Sequence, residues 1–463
     1  MTELKSQKLL LILASIGIAN AVWDDSLCKS DDCWKQRARE IEESLDVTID
    51  PCDNFYAFSC GGWMKKNPAP RYYKSWTPAN VYEHKMMDIF AKNFIIWDLV
   101  YKYLKFMPTR MYDIEYELNN IAKDTPGLFL NREERCIRSL PFLSALVPKF
   151  LSVYYPENYK NSSEDIITKV IKSSQEYINK TSWMFSELKN SVLQEVSDSV
   201  QFNYYSFLNN SYIDELYGHP KIFSRNYVED SLRIYRLKHH RQQQRFDRPD
   251  FDAKSLNFLD GPIISVLSYL LSKFQPNVPQ ASNYGTLASV VGQSVTTFIS
   301  FIDSIFDKSS DDDDNWPHDM KNEFLRRFHN FEMQLHNYYD TKKSNISREN
   351  IESFLEDNFG IPAAFAAYEK NKTPEDEEIS LPNYPMYKDK KLFFISYASS
   401  LCTSENPKSS IDGEESLRIS RKVNIALGNM KEFSDAFSCP KDCPMNPTKK
   451  VHVFGPDDQM NSD

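Results

Sequence analysis

Residues 283–297 read Asn283-Tyr284-Gly285-Thr286-Leu287-Ala288-Ser289-Val290-Val291-Gly292-Gln293-Ser294-Val295-Thr296-Thr297. Gln293 and Thr297 are four residues apart, one turn of a helix, and so share a face. Ser294 follows the first of them. Two imidazoles at that spacing, with a carboxylate beside the first, make a zinc centre in which the carboxylate acts as general base. Gln and Thr bind zinc poorly, and a serine hydroxyl cannot act as a carboxylate base. The stretch has the spacing of a catalytic helix without its chemistry.

The frame around those positions resembles the zinc-binding helix of neprilysin-type metallopeptidases, which reads N-Y-G-G-I-G-x-V-I-G-H-E-x-T-H. Asn283, Tyr284, Gly285, Val290, Gly292 and Thr296 stand where that frame requires them. A second resemblance lies at Asp50-Pro51-Cys52-Asp53-Asn54-Phe55-Tyr56-Ala57-Phe58-Ser59-Cys60-Gly61-Gly62-Trp63. It is similar to the P-C-x-D-F-Y-x-Y-x-C-G-G-W segment of the neprilysin and endothelin-converting enzyme family. A third begins at Asp357-Asn358-Phe359-Gly360, like the D-N-G-G helix, and continues through Lys391-Leu392-Phe393-Phe394 to Phe433, Cys439 and Met445-Asn446-Pro447. Between residues 85 and 130 the resemblance is least, and the family's long N-terminal lobe reads as shortened there. It resumes at Asn131-Arg132-Glu133-Glu134-Arg135-Cys136 and at Thr181-Ser182-Trp183-Met184.

The resemblance assigns roles position by position. The third zinc ligand of the family falls on Ser353, and the transition-state histidine on Ser416. Asp357 stands where the family has a carboxylate that orients the first zinc histidine. With Gln293 in that histidine's place, Asp357 is expected to bond the Gln293 amide or a nearby backbone N–H. The substrate-clamping arginine falls on Lys422, which keeps the charge and loses the bidentate fork. The substrate-binding N-A pair falls near Phe246 and Asp247, which match neither residue. The family uses zinc; with Gln293, Ser294, Thr297, Ser353 and Ser416 at the catalytic positions, no metal cofactor is expected here.

No other metal site replaces it in the sequence. His329 and His336 are seven apart, about 10.5 Å along a helix, too far for one zinc with bonds near 2.0–2.1 Å. No H-x-x-x-H, C-x-x-C or G-x-S-x-G occurs. The acidic run at residues 311–314 lacks the Gly turn and terminal Glu of a calcium loop. A net charge of −10 argues against nucleic-acid or anionic-membrane partners. The basic stretch that includes Lys238, His239, His240 and Arg241 reads as a solvated connector.

Residues 1–21 match a secretory signal: Lys5 and Lys8 in a polar start, an apolar run over 9–18, and Ala19-Asn20-Ala21 as a small-x-small site. The apolar run falls short of the roughly 20 residues of a bilayer span, so no stable membrane anchor is expected, an uncleaved anchor being the competing reading. Eight cysteines and the sequons at Asn161, Asn179, Asn209, Asn345 and Asn371 fit a secreted, extracellular glycoprotein. The resemblance implies bridges Cys28–Cys33, Cys52–Cys439 and Cys60–Cys402. It leaves over Cys136 and Cys443, which are expected to pair with each other. Val451 occupies the family's last cysteine position.

Scarce glycine, 12 in 463 residues, favours helices over a turn-rich sandwich. The resemblance implies a mainly α, two-lobed neprilysin-like fold. Its N-terminal lobe would span 22–250, helical and reduced. Its C-terminal lobe would be thermolysin-like over 251–463, with a small sheet and no zinc ligands. The expected protein is a pseudo-metallopeptidase that binds a peptide or protein ligand. The alternatives are a regulatory partner of an active homologue or, by family assignment, a zinc metalloendopeptidase.

Overall fold

A computed structural model describes residues 33–70, 73, 75–81, 157–190, 192–193, 274–275, 277–295, 318–339, 348–406 and 414–455. In chain order the elements are α1 (Cys33–Ser44), α2 (Phe55–Lys66), β1 (Ser75–Trp76), α3 (Glu157–Asn179), α4 (Gln280–Val295), α5 (His318–Tyr339), α6 (Arg348–Asn371), α7 (Pro374–Glu378), β2 (Ser380–Leu381), β3 (Tyr384–Lys388), α8 (Lys390–Ser399), β4 (Ser404–Glu405), α9 (Glu414–Gly428) and α10 (Lys431–Phe437). The protein is mainly helical, as expected. Its strands pair antiparallel, β1 with β4 and β2 with β3. The expected signal segment, the boundary at 250/251, the basic stretch near 238–241 and the acidic run at 311–314 lie outside the described residues. Among those described, no helix is long and apolar enough to cross a membrane.

The helices form because apolar residues recur at helical spacing and meet partners. α4 lies against both α6 and α8, α3 packs on α6, and α2 touches α1, α8 and α9. α6 buries Phe354, Phe359, Ala364 and Tyr368 on its inner side, and α8 buries Leu392, Phe393, Phe394 and Tyr397. Phe365 stacks on Phe394 at 5.1 Å between centroids and meets Phe393 edge-on at 5.2 Å. Side chains of this size contribute about 1.5–3 kcal/mol each on full burial. Ile166 and Val170 of α3 are buried, in line with the amphipathic pattern of that segment.

The frame residues at the start of α4 have packing roles. The Asn283 amide donates to the Gln275 carbonyl and accepts from its N–H, fixing the approach to the helix. Tyr284 is fully buried against Tyr368. Gly285 lets α4 reach the α8 backbone: a Cβ there would run into the Phe393 carbonyl oxygen.

The end of the described chain is also held. The Trp183 indole donates to the Val453 carbonyl at 2.7 Å, and the Tyr177 hydroxyl to that of Phe454 at 3.2 Å. The Gly455 N–H donates to Thr181 Oγ1. Val451, at the expected site of a lost cysteine, is buried, and its N–H donates to Asn429 Oδ1.

Cys52–Cys439 and Cys60–Cys402 are bridged, across separations of 387 and 342 residues. Cys33 is disulfide-bonded too, while Cys28 and Cys136 lie outside the described residues. The expected pairing of Cys136 with Cys443 is corrected: Cys443 is a free thiol. Met445 N–H donates to the Cys52 carbonyl at 3.0 Å, so the turn that carries Cys443 is docked beside the Cys52–Cys439 bridge rather than turned toward another part of the chain.

Candidate functional site

Three helices carry the sequence-assigned positions within the described residues. α4 carries Gln293 and Ser294, α6 carries Ser353 and Asp357, and α9 carries Ser416 and Lys422. α8, packed on α4, adds Tyr397. The backbones at 293, 294, 353 and 416 are helical. Thr297, Phe246 and Asp247 lie outside the described residues.

The register of α9 is set from α2. Asn54 caps α2, its Oδ1 accepting from the Ala57 N–H, and the same oxygen accepts from the Asn424 amide at 2.9 Å. Asn424 Oδ1 in turn accepts from the Tyr56 N–H at 2.9 Å. Two residues earlier on α9, Lys422 is drawn between two carboxylates, the buried Asp357 and the partly exposed Glu356. Its Nζ lies 3.5 Å from Glu356 Oε2 and 3.5 Å from Asp357 Oδ2. Asp357 is 1% exposed and Lys422 5%.

The Tyr397 hydroxyl completes the cluster, donating to Asp357 Oδ2 at 2.8 Å. Asp357 Oδ1 has no hydrogen-bond partner. The Gln293 side chain, the expected partner of Asp357, lies outside the described residues; among those described, the tyrosine hydroxyl and the lysine ammonium hold this carboxylate. Burial pushes the Glu356 carboxyl above its ordinary range, and Lys422 opposes that rise.

Chemically this is one ammonium shared between two carboxylates in a region of low exposure. A buried charge set of this kind persists only when its members are paired, since an unpaired buried ion is costly. Lys422 stays beside Asp357, and its charge is committed within the protein. Glu356 and Tyr397 were not singled out by sequence; adjacency to Asp357 could have flagged the first, but no spacing rule points to the second.

The sequons divide by environment. Asn179 is exposed at the end of α3. Asn371 donates its amide to the Ala367 carbonyl at 2.7 Å, and Thr373 of the same sequon caps α7 through Asp376. Asn161 lies on α3, while Asn209 and Asn345 lie outside the described residues.

Comparison with known proteins adds ancestry to this geometry. A model described as Peptidase family M13 matches residues 264–453, and the N-terminal model of the same family matches 88–204. The second match runs through the stretch where the motif resemblance was least. Endothelin-converting enzyme 1 of Homo sapiens is 26% identical over 383 residues, covering 78% of this chain and 49% of that protein. Neprilysin-11 of Caenorhabditis elegans is 24% identical over 399 residues, covering 78% and 45%. The chain thus spans about half the length of the curated relatives it matches. A solved structure, the Haemonchus galactose containing glycoprotein complex, aligns with a TM-score of 0.47 at 16% identity over 91% of this chain and 98% of that one.

Proposed function

Because this chain belongs to peptidase family M13, we propose that it is a secreted member that keeps the family's helical scaffold, does not cleave peptide bonds, and holds a peptide or protein ligand. The observation that carries the reading is the fate of Asp357. It faces the ammonium of Lys422 rather than an imidazole. A divalent cation placed next to that ammonium would meet like-charge repulsion in a region of low exposure.

The donor types agree. Gln293, Thr297 and Ser353 offer neutral oxygens where zinc prefers imidazole, thiolate or carboxylate. Ser294 lacks the carboxylate that would take a proton from water, and Ser416 lacks the positive charge an imidazolium would bring to an oxyanion. The residues present therefore do not fit zinc. The buried aromatic frame and the long-range bridges do not depend on a metal, so the scaffold can present a surface without the chemistry. The apolar run at 9–18 and the sequons, Asn179 being exposed, support export and glycosylation.

The test is to produce the full chain through a secretory route, measure bound zinc by elemental analysis, and assay the same preparation against a peptide library. Zinc well below one per chain, no cleavage and retention of particular peptides are expected. One zinc per chain with chelator-sensitive cleavage overturns the reading. A stable complex with an active homologue, without peptide retention, replaces ligand binding by a regulatory role.

A further inference from the structure

The free thiol of Cys443 lies beside a disulfide. Its Sγ and the two sulfurs of the Cys52–Cys439 bridge all fall within 4.8 Å of one another. Three sulfurs so close also resemble a thiolate metal site, but two are bonded to each other and have no thiolate to offer.

The backbone holds this arrangement from several sides. Met445 N–H donates to the Cys52 carbonyl, Cys443 N–H to the Pro440 carbonyl at 3.3 Å, and Asn446 N–H to the Cys443 carbonyl at 2.9 Å. The Asn446 amide donates to the Cys439 carbonyl at 2.9 Å. All three cysteines are thus fixed by one short turn that follows α10. Cys443 is only partly buried, and small reagents can reach it.

We propose that Cys443 is an exchange partner of this bridge, its thiolate attacking Sγ of Cys52 or of Cys439. One S–S bond forms as the Cys52–Cys439 bond breaks, and the displaced cysteine leaves as a thiolate. That thiolate takes up a proton equivalent to the one Cys443 gave, so no oxidant or reductant is consumed. One bridge is shared among three sulfurs. Attack on Cys439 releases the N-terminal segment at Cys52. Attack on Cys52 keeps the two regions joined, now through 443.

The experiment is alkylation trapping of the full secreted chain with iodoacetamide during a long incubation, followed by acid quench and non-reducing peptide mapping. The expected result is label on Cys52 or Cys439 as well as on Cys443, with Cys52–Cys443 or Cys439–Cys443 peptides present. In Cys443→Ser, neither Cys52 nor Cys439 should take label. Cys52→Ser should form Cys439–Cys443, and Cys439→Ser should form Cys52–Cys443, so a failure of one variant to fold leaves the other to decide. Label confined to Cys443, with both single variants leaving two free thiols, overturns the proposal. So does a Cys136–Cys443 peptide in the wild-type chain.

Discussion

His452 is 5% exposed and its Nε2 has no hydrogen-bond partner. Burial, with the nearby Lys450 and Arg327 cations, holds its pKa down at about 4 against an ordinary 6.5; a bond to the Asn429 backbone only partly offsets this. The unfolded chain therefore binds a proton at this site through a pH range in which the native chain does not. Stability is fully present above pH 6.5 and is lost as pH falls toward 4, by up to about 3 kcal/mol. Urea midpoints measured at pH 7, 5.5 and 4.5 should fall along that series, and His452→Leu, of similar volume, should flatten it. An unchanged slope in the variant would assign the acid sensitivity to other groups. The candidate site was partly legible at this scale. The motif frame located Asp357 and Lys422, but their pairing with each other and with Tyr397 was not readable. The partners come from three helices, and sequence spacing carries no record of which side chains meet across a packed interface.

Gly285 packs directly on the α8 backbone, and alanine there is expected to destabilise. Helix propensity alone favours Ala over Gly by about 1 kcal/mol, but the added Cβ meets the Phe393 carbonyl oxygen, a backbone atom that cannot swing away. Overpacking of this kind costs about 1–3 kcal/mol, so Gly285→Ala should lower the thermal midpoint. Gly428→Ala is the control: the nearest atom to its Cβ is Pro447 Cδ at 3.8 Å, an ordinary contact, and the midpoint should hold or rise. Helix positions were largely legible, because α2, α4, α6 and α8 each carry a strong apolar pattern or motif. The docking of residues 451–455 on Trp183 and Tyr177 was not, since it rests on side chains donating to backbone carbonyls about 270 residues away, which no local pattern encodes.

Over the whole molecule, the two long bridges are nested, and their contributions should not add. With either one intact, the other closes an effective loop of only about 45 residues, and its loss costs about 4 kcal/mol in the chain-entropy picture. The last bridge to go closes a loop of more than 340 residues, and its loss costs about 6 kcal/mol. Denaturant midpoints for Cys52→Ser/Cys439→Ser, for Cys60→Ser/Cys402→Ser and for the fourfold variant should show the second loss exceeding the first. Equal steps would mean that the unfolded chain is already compact. These pairings followed from the family motif and proved right. Cys443 was misjudged because counting leftover cysteines pairs them by default, whereas a thiol can also sit unpaired beside a finished bridge.

The same separation has a consequence in time. Cys52 is synthesised 387 residues ahead of Cys439, which at about 5–20 residues per second is roughly 20–80 seconds of synthesis. Until Cys402 and Cys439 are made, Cys60 and Cys52 have no native partner on their own chain. The ribosome thus delivers the lock long before the key, and any early mispairing of those thiols has to be exchanged away before the long bridges can close.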